Sequence, residues 1–307
     1  MSHIYSIGGG KGGVGKSFIT ANIGVLFAKK GLKVIVVDLD LGGSNLHSFL
    51  GIKNARVGLH GFLSRKCHSL DEAASPTGIP NLSMICSTNC SLEIPNLFHA
   101  QKLKIIRAIK QLPYDLILLD LGAGTASNTL DFFLASEEGI FIFTPEPTSV
   151  ENTLRFIKAV YYRKLKQVLK LKAFNGVIRE YMDQKKQPTV RLSALMEFIM
   201  TNDPKKGELL QSKLEEFKFR IILNQFRKQI DPDLGKKIAK VCNTHFYSEF
   251  QFLGNVTHDE RVHDAIYSKK IYITKYPYTH TATDLQNIAN VLVKTPSCAI
   301  PAATRQS

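Results

Sequence analysis

Gly10-Lys11-Gly12-Gly13-Val14-Gly15-Lys16-Ser17 gathers four glycines, two lysines and a hydroxyl into eight residues. Without Cβ atoms, such a run can turn successive backbone N–H groups toward one point, which suits a polyphosphate. Lys16 is placed to bridge β- and γ-phosphates, and the Ser17 hydroxyl to hold Mg2+. Two further acids close apolar runs: Asp38 follows Val34-Ile35-Val36-Val37, with Asp40 two residues on, and Asp120 follows Leu116-Ile117-Leu118-Leu119. One carboxylate beside a γ-phosphate can orient an attacking water, while others bind the metal or its waters. For Asp38, capping of the next helix competes with that role.

These residues need a scaffold that brings strand ends to one side. Strand-like segments begin at His3-Ile4-Tyr5-Ser6-Ile7 and recur at Val34, Leu82, Leu116, Ile140, Arg220 and Phe250. Helical patterns fall between most of them, at about 16–30, 100–111, 149–171 and 232–244. Short continuous apolar strands are what a parallel sheet covered on both faces requires. The order predicts a doubly wound, mostly parallel α/β sheet with helices on both faces, whose ligands sit beyond the carboxyl ends of the strands. A single domain over 1–295 is expected, followed by a disordered tail at 296–307. Residues 163–218 carry no clear strand and read as a basic helical insertion. Arg163, Lys164, Lys166, Lys170, Lys172, Arg179, Lys185 and Lys186 crowd its first half.

With 307 residues and 44% apolar composition the chain can bury a large core, so disorder over most of its length is excluded. No run approaches a membrane span, and the first strand starts at once, so a cytoplasmic protein is expected. The five cysteines are scattered, with only Cys86 and Cys90 close together, which argues for free thiols and against a metal centre. A net charge of +14 draws phosphate polymers and anionic membranes alike, and equally serves simple solubility.

The glycine-rich loop resembles the deviant Walker A motif of the MinD/ParA family of P-loop ATPases, on account of its second lysine, Lys11. The resemblance implies ATP and Mg2+ as ligands, bound by residues 10–18 (Gly10, Lys11, Gly12, Gly13, Val14, Gly15, Lys16, Ser17 and Phe18). It further implies a homodimer formed on ATP, in which Lys11 reaches the partner subunit's nucleotide. Catalysis would then rest on Lys11, Lys16 and Asp40, with Asp40 activating water. Ser17, Asp38 and Asp120 would serve the metal. Asn45 matches an asparagine of the same switch, and Leu121-Gly122-Ala123-Gly124 a second switch in which the family often has proline at Gly122. Glu146, in Thr144-Pro145-Glu146-Pro147-Thr148-Ser149, is similar to a dimer-face acid, although a helix-starting turn capped by Ser149 would read the same. Asn224 falls where the family reads adenine, and Asp259 and Glu260 lie on the other base-side loop.

Asp38-Leu39-Asp40-Leu41-Gly42-Gly43-Ser44-Asn45-Leu46-His47 looks like the MinD and FlhG/FleN branch, as do the Pro-Glu segment and Asp259-Glu260-Arg261-Val262-His263-Asp264-Ala265-Ile266. That implies spatial or numerical control of a cellular structure, flagella above all, through a regulatory partner protein. Two features depart from this branch: strand one begins without the usual extension, and Thr295-Pro296-Ser297-Cys298 is no amphipathic membrane helix. The basic helix around Tyr161-Tyr162-Arg163-Lys164-Leu165 could lie on an anionic membrane, or its apolar face could pack on the protein itself. The alternative function is a ParA-type partitioning ATPase on nonspecific DNA. A cluster carrier lacks its paired cysteines, and a metabolic kinase would not need Lys11.

Overall fold

A computed structural model describes residues 2–43, 45–52, 57–87, 98–185 and 191–293. Ser44, Cys90, Lys186, Cys298 and the tail 296–307 lie outside them. In chain order the elements run β1 (His3–Gly8), α1 (Lys16–Lys29), β2 (Val34–Leu39), α2 (Leu46–Phe49), α3 (Gly58–Leu63), β3 (Ser75–Pro76) and β4 (Leu82–Ile85). There follow α4 (His99–Lys110), β5 (Leu116–Leu121), α5 (Ser127–Phe133), β6 (Glu138–Phe143) and α6 (Pro147–Val168). After a short 3-10 turn come α7 (Asn175–Lys185), α8 (Leu192–Asn202) and α9 (Pro204–Glu215). The chain continues through β7 (Lys218–Phe226), α10 (Leu234–His245), β8 (Phe250–Thr257), α11 (Arg261–Tyr267), α12 (Tyr272–Lys275) and α13 (His280–Val293).

The eight strands form one sheet in the order β3-β4-β2-β5-β1-β6-β7-β8. Every pairing is parallel except the two-residue edge strand β3 against β4. Strands β1, β2, β5 and β6 are buried throughout, because helices cover both faces. Side chains alternate between those faces: Ile35, Val37, Ile117 and Leu119 enter one apolar cluster, while Val34, Val36, Leu116 and Leu118 enter the other. Parallel pairing puts the carboxyl ends of seven strands on the same side, where the candidate residues lie.

At the opposite end, Glu138 opens β6 inside the protein. It accepts from Arg220 Nε at 3.0 Å, and its other oxygen lies 3.7 Å from His3 Nε2. Burial holds the His3 imidazole below its usual pKa, against the pull of Glu138.

Between α6 and β7 the described residues are mostly helical and have their own apolar cluster: Tyr161 and Leu165 of α6 pack with Leu195, Ile199, Leu210 and Leu214. The apolar face of the basic helix is therefore turned inward. Val168 and Leu169 are buried there too, so that face is not available to a bilayer in this conformation. Among the basic residues, Lys164 is partly buried against Phe217, whereas Lys166, Lys170, Lys172 and Arg179 are exposed.

Candidate functional site

The P-loop connects the end of β1 to the start of α1. Gly13 and Gly15 adopt φ of 78° and 92°, left-handed values that a side chain would strain. Gly15 also occupies the N-cap position of α1, with no side-chain cap and no acid in the first turn. The uncapped N–H groups and the helix dipole both favour an anion there. A Cβ on Gly12 or Gly13 would meet nothing within 4 Å, so this side of the loop is open. Its other side is closed: a Cβ on Gly10 would stand 2.0 Å from the Asn152 carbonyl of α6.

Three residues assigned to the metal converge. Asp38 of β2 and Asp120 of β5 are register partners on adjacent strands, and both are buried. Ser17 hydrogen-bonds Asp120, and Thr20 Oγ1 donates to Asp120 Oδ1 at 3.2 Å. Burial, with Asp38 beside it, pushes Asp120 well above the usual carboxylate range, opposed by Ser17, Lys16 and Thr20. A hydrated divalent cation fits this donor set of a hydroxyl and two carboxylates, and would relieve the repulsion between them. Lys16 is buried nearby; loss of solvent lowers its pKa, while Asp120 and Asp40 act to raise it. Asp38 is also bound locally, its Oδ1 accepting from Asp40 N at 3.0 Å. It therefore points back into its own turn and does not cap α2, whose N-cap residue is Asn45.

Asp40 is partly exposed, and its Oδ1 accepts from Gly42 N at 3.3 Å and Gly43 N at 3.0 Å. Gly122 lies against it, since a Cβ there would be 3.1 Å from Asp40 Oδ1. Gly124 N donates to Gly9 O at 3.1 Å, which ties the loop after β5 to the P-loop. The two acidic loops thus meet at the phosphate cradle.

Lys11 is exposed, and its Nζ donates to Thr148 Oγ1 at 3.3 Å. Glu146 is exposed two residues before Thr148, at the N-cap position of α6. Ser149 does not cap that helix. It is buried, and its hydroxyl accepts from Thr144 N at 3.0 Å, which closes the end of β6 onto α6.

A cavity of about 190 Å3 adjoins the P-loop, bounded by Gly13, Gly15, Phe18, Asn224, Thr257 and Asp259 among others. Phe18 makes one wall, edge-on to Phe49 and Tyr272. Asn224 is buried, and its amide donates to Val14 O at 2.8 Å, so one of its groups already braces the P-loop. Burial alone would raise the Asp259 carboxyl, but hydrogen bonds from Arg261 and Tyr272 outweigh it and hold the group below the usual range.

Several contributors carry no motif. Thr20 has a legible signal, four residues after Lys16 on one helix face. Thr148 lies inside the Pro-Glu segment, which does not mark its contact with Lys11, and Gln225 has no signal; Gln225, at φ 56°, donates to Gly13 O at 3.3 Å.

Residues 5–272 match the CobQ/CobB/MinD/ParA nucleotide-binding domain, and the chain belongs to that family. It is 30% identical to the septum site-determining protein MinD of Helicobacter pylori over 158 residues, 51% of this chain and 58% of that relative. It is 22% identical to the antiactivator FleN of Pseudomonas aeruginosa over 304 residues, covering 98% of this chain and 89% of FleN. In three dimensions it resembles Pyrococcus horikoshii MinD complexed with Mg-ADP, at a TM-score of 0.64 and 21% identity, covering 98% of this chain and all of that one. The stretch matched in H. pylori MinD is little more than half of that protein.

Proposed function

We propose that this protein is an ATP-dependent dimerising switch: it binds Mg-ATP, pairs with a second copy of itself, and hydrolyses the nucleotide slowly to release the pair. The observation that carries this reading is the contrast between the two P-loop lysines. Lys16 is buried beside Asp120 and Asp40, whereas Lys11 is exposed at the rim and, among the described residues, hydrogen-bonded only to Thr148. A cation aimed outward from the loop serves a phosphate in a facing subunit better than one in its own.

Bound Mg2+ would polarise the terminal phosphate and offset its charge. Ser17, Asp38 and Asp120 would hold the ion and its waters. The P-loop N–H groups and Lys16 would orient the phosphates, and Asp40 would accept a hydrogen bond from the attacking water. Phe18, Asn224 and Asp259 would bound the base and ribose side. Sedimentation with Mg-ATP tests this: the Asp40→Ala variant should accumulate as a dimer and Lys11→Ala should remain monomeric. A wild-type protein that stays monomeric in every nucleotide state overturns the reading.

For the cellular role we favour control of flagellar number or placement, supported by the FleN match over nearly the whole chain. A ParA-type role on nonspecific DNA is the second reading, favoured by the net charge of +14. Binding to random duplex DNA that requires ATP and falls steeply with salt would select it.

A further inference from the structure

On the face of the sheet covered by α4, α5 and α6 lies a groove of about 350 Å3 that the nucleotide chemistry does not use. Its base holds one acid, Asp131 of α5, which is already committed. Arg163 Nε donates to Asp131 Oδ1 at 2.8 Å, an Arg163 terminal nitrogen donates to Oδ2 at 2.8 Å, and buried Lys102 pairs with the same carboxylate. The rim carries Lys110 from α4, Lys166 from α6 and Lys170 from the turn just after α6, all exposed and without an ion-pair partner among the described residues. One carboxylate thus faces five cations. Between them runs an apolar strip from Leu103, Ile106 and Leu134.

We infer that this groove docks an acidic, amphipathic segment of a partner protein. Its carboxylates would meet Lys110, Lys166 and Lys170, and an apolar side chain would cover the strip. Charge complementarity sets the sign of the occupant, because three unpaired cations around one depression repel each other until an anion enters. The strip decides its class. A phosphate backbone has nothing to bury against Leu103 and Ile106, whereas an amphipathic helix presents carboxylates and an apolar anchor on one side. The volume suits a few side chains and not a duplex.

The groove shares α5 and α6 with the nucleotide site. Arg163 also donates to Ser127 Oγ at 3.1 Å, at the first residue after the loop that follows Asp120. The docking inference goes beyond the switch reading and does not depend on it, since none of the rim lysines touches the P-loop region.

A displayed library of acidic amphipathic peptides, panned on the full chain and followed by fluorescence anisotropy, tests it. Enriched peptides should pair glutamate or aspartate with leucine at helical spacing. They should bind K166E/K170E and, separately, K110E at least about tenfold more weakly than the wild type. L103S should weaken binding without changing its salt dependence. ATP binding and ATP-driven sedimentation of these variants should match the wild type, which separates this claim from the switch reading and reports folding. No enrichment, or equal affinity for the charge-reversed variants, overturns the inference. So does the result that random duplex DNA or phosphatidylglycerol vesicles, and not the peptides, lose binding when these lysines are reversed.

Discussion

Asp38 and Asp120 sit opposite each other on neighbouring parallel strands, two buried carboxylates across one interstrand gap of about 4.8 Å. Without a cation, the fold carries their repulsion, eased by Lys16, Ser17 and Thr20. Asp120→Asn should therefore raise the melting temperature of the nucleotide-free protein, by roughly 2 °C. The same variant should lose the additional rise that Mg2+ gives in the presence of ADP. Thermal scans with and without Mg2+ check this; an unchanged Mg2+ response in the variant would show that Asp120 is not at the metal.

Gly122 touches Asp40, and an added methyl at 3.1 Å forces the carboxylate to give by a few tenths of an ångström. If Asp40 orients the attacking water as proposed, it acts on turnover more than on bound ATP, and Gly122→Ala should lower kcat about tenfold with little change in KM. Steady-state phosphate release separates the two constants. A raised KM at constant kcat would assign Gly122 to nucleotide binding instead.

The Arg220–Glu138–His3 cluster is a stability element far from the chemistry. Glu138→Gln leaves Arg220 buried without its counter-charge and should cost about 3–5 kcal/mol in urea unfolding, while the nucleotide affinity of the folded fraction is kept. His3 has a depressed pKa in the fold, so the unfolded chain binds more protons at low pH. Its contribution is complete above the ordinary histidine pKa of about 6.5 and is lost as pH falls below that value. A His3→Gln variant should show a flatter fall in stability between about pH 6.5 and 5 than the wild type. An identical pH profile would remove His3 from the account.

The sheet was legible because its central strands are buried on both faces, so that β2 and β5 read as apolar runs ending in an acid, Val34-Ile35-Val36-Val37-Asp38 and Leu116-Ile117-Leu118-Leu119-Asp120. Strand β3 was not legible: Ser75 and Pro76 are too few residues to set a period, and only their pairing with Met84 and Ser83 defines them. At the site, the P-loop and the acids at 38, 40 and 120 stand out because strand ends and glycine spacing mark them in one dimension. Gly122 and Thr148 stand in quoted segments, but their contacts with Asp40 and Lys11 do not show there, since these come from the approach of loops distant in sequence. Ser149 looked like a helix cap because a serine before an apolar run usually is one; tertiary contact with Thr144 N claims its hydroxyl instead. Asp131 resembles any acid on an amphipathic helix until α4 and α6 bring Lys102 and Arg163 to it.

Mixing two impaired variants shows whether Lys11 acts on the nucleotide of the facing subunit. Lys11→Ala keeps its own Asp40 but lacks the outward cation; Asp40→Ala supplies that cation but cannot orient water. Alone, each should hydrolyse ATP at a small fraction of the wild-type rate. Mixed in equal amounts with Mg-ATP, they should recover turnover well above the sum of the two, because one site of each mixed dimer then holds an intact Asp40 and a facing Lys11. Turnover equal to the sum, in a mixture whose sedimentation shows dimers of the two variants, would contradict the account and return Lys11 to its own P-loop.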